Sequence, residues 1–219
     1  MTTTDRQVGE IGAGDASDET LASRARAGDR GAFGVLVERY GGRVRRYALA
    51  RLRDGHDADE VAQETLLRAW RSILTYREGE AFGAWVMAIA RREIVNVIRR
   101  RKKSARDRDP AERLHGRGGD DETSDDQVAP GTIWETAREA LGDDAFEAVW
   151  LRYVEDMEPG QIARVLGRSR VGVRVLLHRA RRTLQARLEG HETAFQEEEP
   201  ELNGQEIRVA AREVICERA

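Results

Sequence analysis

The amino-acid sequence predicts an all-α protein made of two small helical domains joined by a flexible linker. Of its 219 residues, 35% are charged, 5% are aromatic and four are proline, a composition that favours helices over a β-sandwich or barrel. Apolar residues recur at helical spacing on both sides of residues 104–131, a polar and glycine-rich stretch without such periodicity. This pattern indicates two helical units with a linker between them.

The N-terminal part of the sequence predicts a disordered start, residues 1–16, and a first domain over residues 17–103. Asp18 marks a helix start, and helices are expected over residues 21–27 and 32–47, with a glycine-rich break between them. The second of these helices has a core face of six residues: Phe33, Leu36, Val37, Tyr40, Val44 and Tyr47. Its Gly-Gly pair at 41–42 costs about 2 kcal/mol of helix propensity, so the pattern leaves its continuity open.

Residues 57–70 form the most clearly amphipathic stretch, with Asp57 as the expected N-cap. Seven residues share its core-facing side: Ala58, Val61, Ala62, Thr65, Leu66, Ala69 and Ile73. The opposite side is charged or polar except for Leu67. A single exposed leucine is common on protein surfaces. A lone apolar anchor ringed by charges also suits a docking face, and both interpretations stay open.

Residues 83–103 predict a basic helix that suits DNA. Its buried side is apolar: Val86, Ala90, Ile94, Val97 and Ile98. The side facing away carries Trp85, Ile89, Arg92, Asn96 and Arg99, and five consecutive cations, including Arg100, occupy 99–103. Arg and Lys hold phosphates, Asn pairs with adenine, and an aromatic ring stacks on an unpaired base. The alternative is a solvated basic helix with Trp85 in the core.

Residues 132–189 predict a second domain that contains a helix-turn-helix. Two helices are expected over residues 133–141 and 145–153, before residues 158–169 indicate a helix, a tight turn and an N-cap. Ala163, Gly167 and Val173 follow at the spacing of a helix-turn-helix, which needs a small residue at the helix crossing, a glycine able to turn and a β-branched residue beyond it.

The helix from 170 to about 188 is the predicted recognition helix. Its core side contains Val173, Leu176, Leu177, Ala180 and Leu184. Its outer side carries Arg170, Val171, Arg174, Val175, His178, Arg181 and Arg182. Arginines suit phosphates and guanine, and valines suit thymine methyl groups. The acidic tail, residues 190–219, is either disordered or a short element that folds back.

Composition argues against most other classes of protein. One cysteine and four scattered histidines predict no disulfide framework, no metal site and no cofactor, and no nucleophile–base pair indicates an enzyme. The absence of an 18-residue apolar run or a signal core predicts a cytoplasmic protein without membrane insertion. The net charge of −3 hides nine Arg or Lys against two acids over residues 91–108, a local excess that favours nucleic acid.

Several of these motifs resemble the sigma-70 family of RNA polymerase sigma factors, in its small extracytoplasmic-function group. Residues 57–64, Asp-Ala-Asp-Glu-Val-Ala-Gln-Glu, resemble the segment that docks on the clamp helices of the polymerase core. Residues 82–91 are similar to the helix that melts and reads the −10 element, with residues 75–80 at the flipped-base loop. Residues 158–181, ending in Leu-His-Arg-Ala-Arg, resemble the −35-binding helix-turn-helix.

The resemblance implies a region 2-like bundle, a region 4-like domain and three sets of binding residues. The polymerase-binding set is Asp59, Gln63, Glu64, Leu67 and Arg68. The −10 set is Trp85, Arg92, Asn96, Arg99 and Arg100. The −35 set is Ser169, Arg170, Val171, Arg174, Val175, His178 and Arg181. The implied partners are the RNA polymerase core, promoter DNA and an anti-sigma factor.

Three residues depart from the family pattern. Asn96 stands where Asp is common, and Gly172 and Leu176 replace residues that are usually polar in the recognition helix. The departures leave two rivals to a promoter-specificity subunit. One is a sigma mimic that titrates an anti-sigma partner, and the other is a plain helix-turn-helix regulator that uses the second domain alone.

Overall fold

The computed structural model describes residues 16–107 and 133–192, which form eight α-helices, one short 3-10 turn and no strand. The first four helices are α1 Asp18–Arg26, α2 Arg30–Leu52, α3 Gly55–Arg71 and α4 Phe82–Asp107, with the 3-10 turn Ile73–Thr75 after α3. The other four are α5 Ile133–Ala140, α6 Asp143–Tyr153, α7 Pro159–Leu166 and α8 Arg170–Glu192. The all-α prediction is confirmed. The predictions for residues 1–15, 108–132 and 193–219 lie outside the described residues.

Helices α1–α4, called here the N-terminal bundle, are organised around a continuous α2. This helix runs through Gly41 and Gly42 without a break. The predicted loss of about 2 kcal/mol in propensity is outweighed because Leu36, Tyr40 and Tyr47 are almost fully buried, each worth about 1.5–3 kcal/mol. Packing of α2 on α1, α3 and α4 therefore decides its length.

The N-caps of α1 and α3 lie upstream of the predicted residues. Ser17, rather than Asp18, caps α1, with its side chain accepting from the Thr20 N–H. Asp54, rather than Asp57, caps α3, and its Oδ1 accepts from the Asp57 N–H at 2.8 Å. The prediction of Asp57 as the cap was wrong. Asp57 lies three residues beyond the cap, in the first turn of the helix, where the helix dipole also favours an acidic side chain.

Helix α4 continues past the expected end at 103 to Asp107. Arg101 holds this end of the helix to its neighbours: it donates to the Leu52 carbonyl at 3.1 Å and to Asp54 Oδ2 at 2.7 Å. Its Nη2 also lies 2.5 Å from Asp57 Oδ2. One arginine of the predicted basic run thus joins the C-terminus of α2 to the N-terminus of α3.

Helices α5–α8, called here the C-terminal bundle, contain the predicted helix-turn-helix in α7 and α8. Pro159 opens α7 behind a capping box between Glu158 and Gln161. Gly167 ends α7 in the left-handed conformation with φ of +64°, where glycine carries no Cβ penalty. Ser169 then accepts from the Gly172 N–H at 3.0 Å and caps α8. The predicted turn and cap are confirmed.

The two bundles pack on each other through α4 and α7. The core of the C-terminal bundle is aromatic: Trp134 and Trp150 have ring centroids 4.9 Å apart, and Phe146 stacks on Trp150 at 6.3 Å. Among the helices of residues 16–107 and 133–192, none combines the length and the apolar character needed to cross a bilayer.

Gly83 lets α4 pack closely against the Tyr40 side chain of α2 in the N-terminal bundle. A Cβ at Gly83 would lie 3.0 Å from Tyr40 Oη, and that hydroxyl donates to Asp18 Oδ2 at 2.5 Å. We expect Gly83→Ala to lower the free energy of unfolding by about 1–2 kcal/mol, because overpacking outweighs the gain in helix propensity. Urea unfolding followed by circular dichroism measures the change.

Gly34→Ala is the matched control for Gly83→Ala. Gly34 lies inside α2, and a Cβ there would meet no atom within 4 Å. We therefore expect the free energy of unfolding of this variant to rise by up to about 1 kcal/mol. Equal stability of the two variants would contradict the packing assigned to Gly83.

Candidate polymerase and DNA interfaces

The predicted polymerase-binding residues lie on the outer side of α3. Gln63 is exposed and Leu67 is 49% exposed. Arg68 donates from Nε to Glu64 Oε1 at 2.6 Å, one turn earlier. Asp59 is half exposed and accepts from Arg45 Nε at 2.6 Å. The structure therefore places the five residues on one accessible, mostly charged face, which we call the α3 face.

Arg68 connects the α3 face to α4. Its Nη1 lies 3.1 Å from Oε1 of Glu93, whose side chain is 9% exposed. The hydrogen bond that Arg68 donates to Glu64, aided by the negative charge of Glu93, raises the pKa of Arg68 above its usual value. Arg68 stays cationic and links α3 to α4 through Glu93, a contact that sequence spacing gave no means to detect.

Four of the five predicted −10 residues lie on the exposed side of α4. Arg92, Asn96, Arg99 and Arg100 are exposed, and we call this the α4 face. Ile89, which the periodicity placed on the same side, is 8% exposed and belongs to the core. The periodic pattern was wrong there because α4 packs against α1, α2, α3 and α7, so its apolar stripe is wider than a helix with one neighbour needs.

Trp85 is only partly exposed and belongs to an aromatic cluster at the start of α4. Its ring centroid lies 5.6 Å from that of Tyr76 and 5.5 Å from that of Phe82. Tyr76 is buried, and its hydroxyl donates to the Glu80 carbonyl at 2.5 Å, which fixes the connection before α4. Trp85 therefore packs on the core with one side and stays accessible on the other.

The predicted −35 residues lie at the N-terminal half of α8, which we call the α8 face. Six of the seven are exposed side chains on the helix itself: Arg170, Val171, Arg174, Val175, His178 and Arg181. Val171 and Val175 are 69% and 44% exposed. Arg181 also donates to Tyr153 Oη at 3.0 Å, and Ser169 is the helix cap. No cluster of three potential metal ligands occurs in the described parts of the chain.

Two of the departures from the family pattern do not occupy the α8 face. Leu176 is half-buried against the core of the C-terminal bundle. Gly172 faces its own cap, since a Cβ there would lie 3.1 Å from Ser169 Oγ. Neither residue therefore stands among the exposed arginines and valines of the α8 face.

The sequence patterns did not predict a group of charged residues that lies between the two bundles. Three arginines of α2 and α4 meet four acids at α6 and just beyond it, and we call this group the seam: Arg43, Arg51, Arg91, Asp143, Asp144, Glu147 and Glu155. The partners lie far apart in sequence, 56 residues for Arg91 and Glu147 and 112 for Arg43 and Glu155. One signal was available: Glu147 lies inside an apolar run, between Phe146 and Ala148.

Comparisons with known proteins agree with this architecture. Residues 36–104 match the model for sigma-70 region 2, and residues 134–184 match the model for sigma-70 region 4. The ECF RNA polymerase sigma factor BldN of Streptomyces coelicolor is 33% identical over 171 residues, which cover 75% of this chain and 63% of BldN. The probable RNA polymerase sigma factor RfaY of Xanthomonas campestris is 30% identical over 168 residues, 75% of this chain and 42% of RfaY.

A solved structure shares the fold. The structure of CnrH in complex with the cytosolic domain of CnrY matches with a TM-score of 0.58 and 25% identity, covering 79% of this chain and 97% of CnrH. The chain spans less than two thirds of the length of BldN and RfaY. The two matched regions together cover more than half of the chain, and the chain belongs to the sigma-70 family of RNA polymerase sigma factors, in its extracytoplasmic-function group.

Proposed function

We propose that the chain directs the RNA polymerase core to specific promoters and initiates transcription there. In this proposal the chain acts in the cytoplasm and catalyses no covalent reaction itself. The observation that carries the proposal is the separation of three accessible faces on three helices of one chain. The α3 face has an apolar centre in a charged surround, whereas the α4 and α8 faces are rich in arginine. A helix-turn-helix regulator has no use for the α3 face.

We propose that the α3 face binds the clamp helices of the largest subunits of the core. Leu67 is the apolar anchor, and its 49% exposure leaves half of the side chain for a partner to cover. Asp59, Gln63, Glu64 and Arg68 surround it and set the register, because charges at the rim of an interface decide orientation more than affinity.

We propose that the α4 face captures the unpaired −10 strand. Arg92, Arg99 and Arg100 hold phosphates, and Asn96 reads a base edge. The accessible side of Trp85 offers a stacking surface, and base–aromatic stacking is worth about 1–3 kcal/mol per base. Arg100 is 64% exposed and 3.3 Å from Glu60, an exposed pair weak enough for a phosphate to replace.

We propose that the α8 face binds the duplex at −35 and that an anti-sigma factor is the regulatory partner. Arg170, Arg174 and Arg181 contact phosphates or guanine, His178 lies beside a phosphate, and Val171 and Val175 meet thymine methyl groups. Ser169 caps one N–H group of the first turn of α8, and the other N–H groups at this helix N-terminus attract a phosphate. CnrH, solved with the cytosolic domain of CnrY, supports a protein partner of this kind.

Arg174→Ala tests the −35 assignment. We expect the dissociation constant for a promoter duplex selected with the holoenzyme to rise about 5- to 150-fold, while affinity for the polymerase core stays unchanged. Fluorescence anisotropy at several salt concentrations measures the affinity for the duplex and shows whether Arg174 contacts a phosphate or a base. A salt slope lowered by about 1 indicates a phosphate contact, and an unchanged slope with lost sequence preference indicates a base contact.

Arg24→Ala is the matched control on the N-terminal bundle. Arg24 is half exposed on α1 and pairs with Asp29 at 2.8 Å, away from the α8 face. Its removal should leave duplex binding unchanged. Equal losses in the two variants would mean that general positive charge, and not the α8 face, binds the duplex.

A further inference from the structure

The C-terminal half of α8 carries three arginines that do not belong to the α8 face. Arg179, Arg182 and Arg187 are exposed and line an open groove along one side of the helix. We call these three residues the arginine flank. Residues 170–187 contain six arginines and no acidic residue, so α8 offers the arginine flank no negative charge of its own.

The arginine flank also lacks an acidic partner from other elements. Nearby arginines are held: Arg181 donates to Tyr153 Oη at 3.0 Å, and Arg168 donates from Nε to Asp144 at 3.1 Å. Among residues 16–107 and 133–187, by contrast, no acid pairs with any of the three flank arginines. Their positive charges, spread over about 12 Å of helix, therefore form an uncompensated site for an extended anion.

The arginine flank lies beyond the part of α8 that reads bases. In a helix-turn-helix the N-terminal residues of the recognition helix contact base edges. Arg187 follows Arg170 by 17 residues, which places it roughly 25 Å farther along the helix axis. The arginine flank therefore suits phosphates or carboxylates and not base edges.

An acidic stretch of the same chain follows α8 directly. Residues 188–207 contain seven acidic residues and no Lys or Arg. Four of these acids lie within residues 197–201, which we call the acidic segment: Glu197, Glu198, Glu199 and Glu201. The acidic segment lies outside the described residues and beyond the residues that match sigma-70 region 4.

The tether is long enough for the acidic segment to reach the arginine flank. Arg179 lies roughly 20 Å before Glu192, the last residue of α8, along the helix axis. The nine residues from 193 to 201 span up to about 30 Å. A short tether of this kind gives an effective concentration in the millimolar range, so exposed ion pairs of ordinary strength are enough for binding.

We propose that the acidic segment binds the arginine flank of its own chain and competes there with the phosphates of DNA. The weakening of duplex binding rests on the proposed function, because it requires α8 to bind DNA. The contact between the acidic segment and the arginine flank rests only on their charges and on the tether between them.

Neutralising the acidic segment in the full chain tests the competition. We expect Glu197→Gln, Glu198→Gln, Glu199→Gln and Glu201→Gln together to lower the dissociation constant for a promoter duplex about fivefold or more at low salt, because about three exposed ion pairs are removed. The difference should shrink as salt is raised, since salt screens exposed charges. Fluorescence anisotropy measures both quantities.

A linker variant of equal charge is the matched control. Four substitutions remove the same number of negative charges between the two bundles: Asp120→Asn, Asp121→Asn, Asp125→Asn and Asp126→Asn. We expect this variant to keep the dissociation constant for the duplex within about twofold of the parent. An equal gain of affinity in the two variants would mean that net charge alone matters and would overturn the proposal.

A double-mutant cycle assigns the contact to the arginine flank. In a chain that carries Arg179→Gln and Arg187→Gln, neutralising the acidic segment should change the dissociation constant less than twofold, because the two sets of charges act only through each other. A gain as large as in the parent would place the acidic segment elsewhere and would contradict the proposed site.

Cross-linking without DNA tests the contact independently of the proposed function. A carbodiimide joins a lysine to a carboxylate that it contacts, and the full chain with Arg179→Lys should yield links to residues 197–201. Arg181→Lys is the matched control, because residue 181 has nearly the same tether length but points about 160° away around the helix. We expect at least threefold more links from position 179, as measured by mass spectrometry of the monomer.

The cross-linking result separates the two proposals. Equal links from both positions, no links, or links only between two copies of the chain would overturn the binding of the acidic segment to its own arginine flank. If no variant binds any promoter duplex, the −35 assignment of the proposed function fails, and the links from position 179 still decide whether the contact exists.

Discussion

Replacing Leu67 by Asp is expected to weaken binding of the chain to RNA polymerase core by about 30-fold or more. A central apolar anchor in a charged rim has the features of an interface hot spot, where loss of the side chain costs at least about 2 kcal/mol. Asp in addition introduces a charge that must be desolvated on binding. Surface plasmon resonance with immobilised core measures the change.

The fold should tolerate the Leu67 substitution. The side chain is 49% exposed and the core side of α3 is formed by Ala58, Val61 and Ala69, so the variant should lose about 1 kcal/mol or less, mainly in helix propensity. Val175→Asp is the control of equal chemistry, because Val175 is 44% exposed but lies on the α8 face. Core affinity that falls equally in both variants would remove Leu67 from the interface.

Trp150→Ala is expected to lower the free energy of unfolding by about 3–5 kcal/mol and to unfold much of the C-terminal bundle. Trp150 is 2% exposed and packs on both Trp134 and Phe146, so the substitution leaves a large cavity at the centre of a small core. Binding of promoter duplex should disappear, whereas the α3 face should still bind core. Denaturant unfolding and duplex anisotropy measure the two effects.

Trp150→Phe provides the conservative comparison. The Trp150 indole N–H is buried without a hydrogen-bond partner, so phenylalanine loses no hydrogen bond and keeps most of the ring contact with Phe146. We expect it to cost less than half as much as the alanine variant. If phenylalanine is as damaging as alanine, the indole N–H has a role that the packing does not account for.

The sequence predicted the helix-turn-helix because every part of it is local. Gly167, Ser169 and Val173 lie within seven residues, and each acts through its own backbone conformation, cap or packing. The core sides of α3 and α8 were also predictable, because each helix packs on its own bundle with one side and the buried residues repeat at helical spacing.

Features that depend on several neighbours were not predictable. Ile89 lies on a helix that packs against four others, so its burial follows from the tertiary arrangement. Arg101 and Arg68 belonged to plausible binding runs, yet they also hold helices together through Asp54 and Glu93. The seam pairs residues far apart in sequence, and no local pattern records which acid each arginine meets.

Run-off transcription with purified core polymerase and a promoter library tests the central claim most directly. The proposed function predicts that the full chain yields transcripts from a defined subset of promoters, and that core alone or core with Leu67→Asp does not. Transcripts that start at the same promoters without the chain, or core that binds the chain but never uses a promoter, would contradict it.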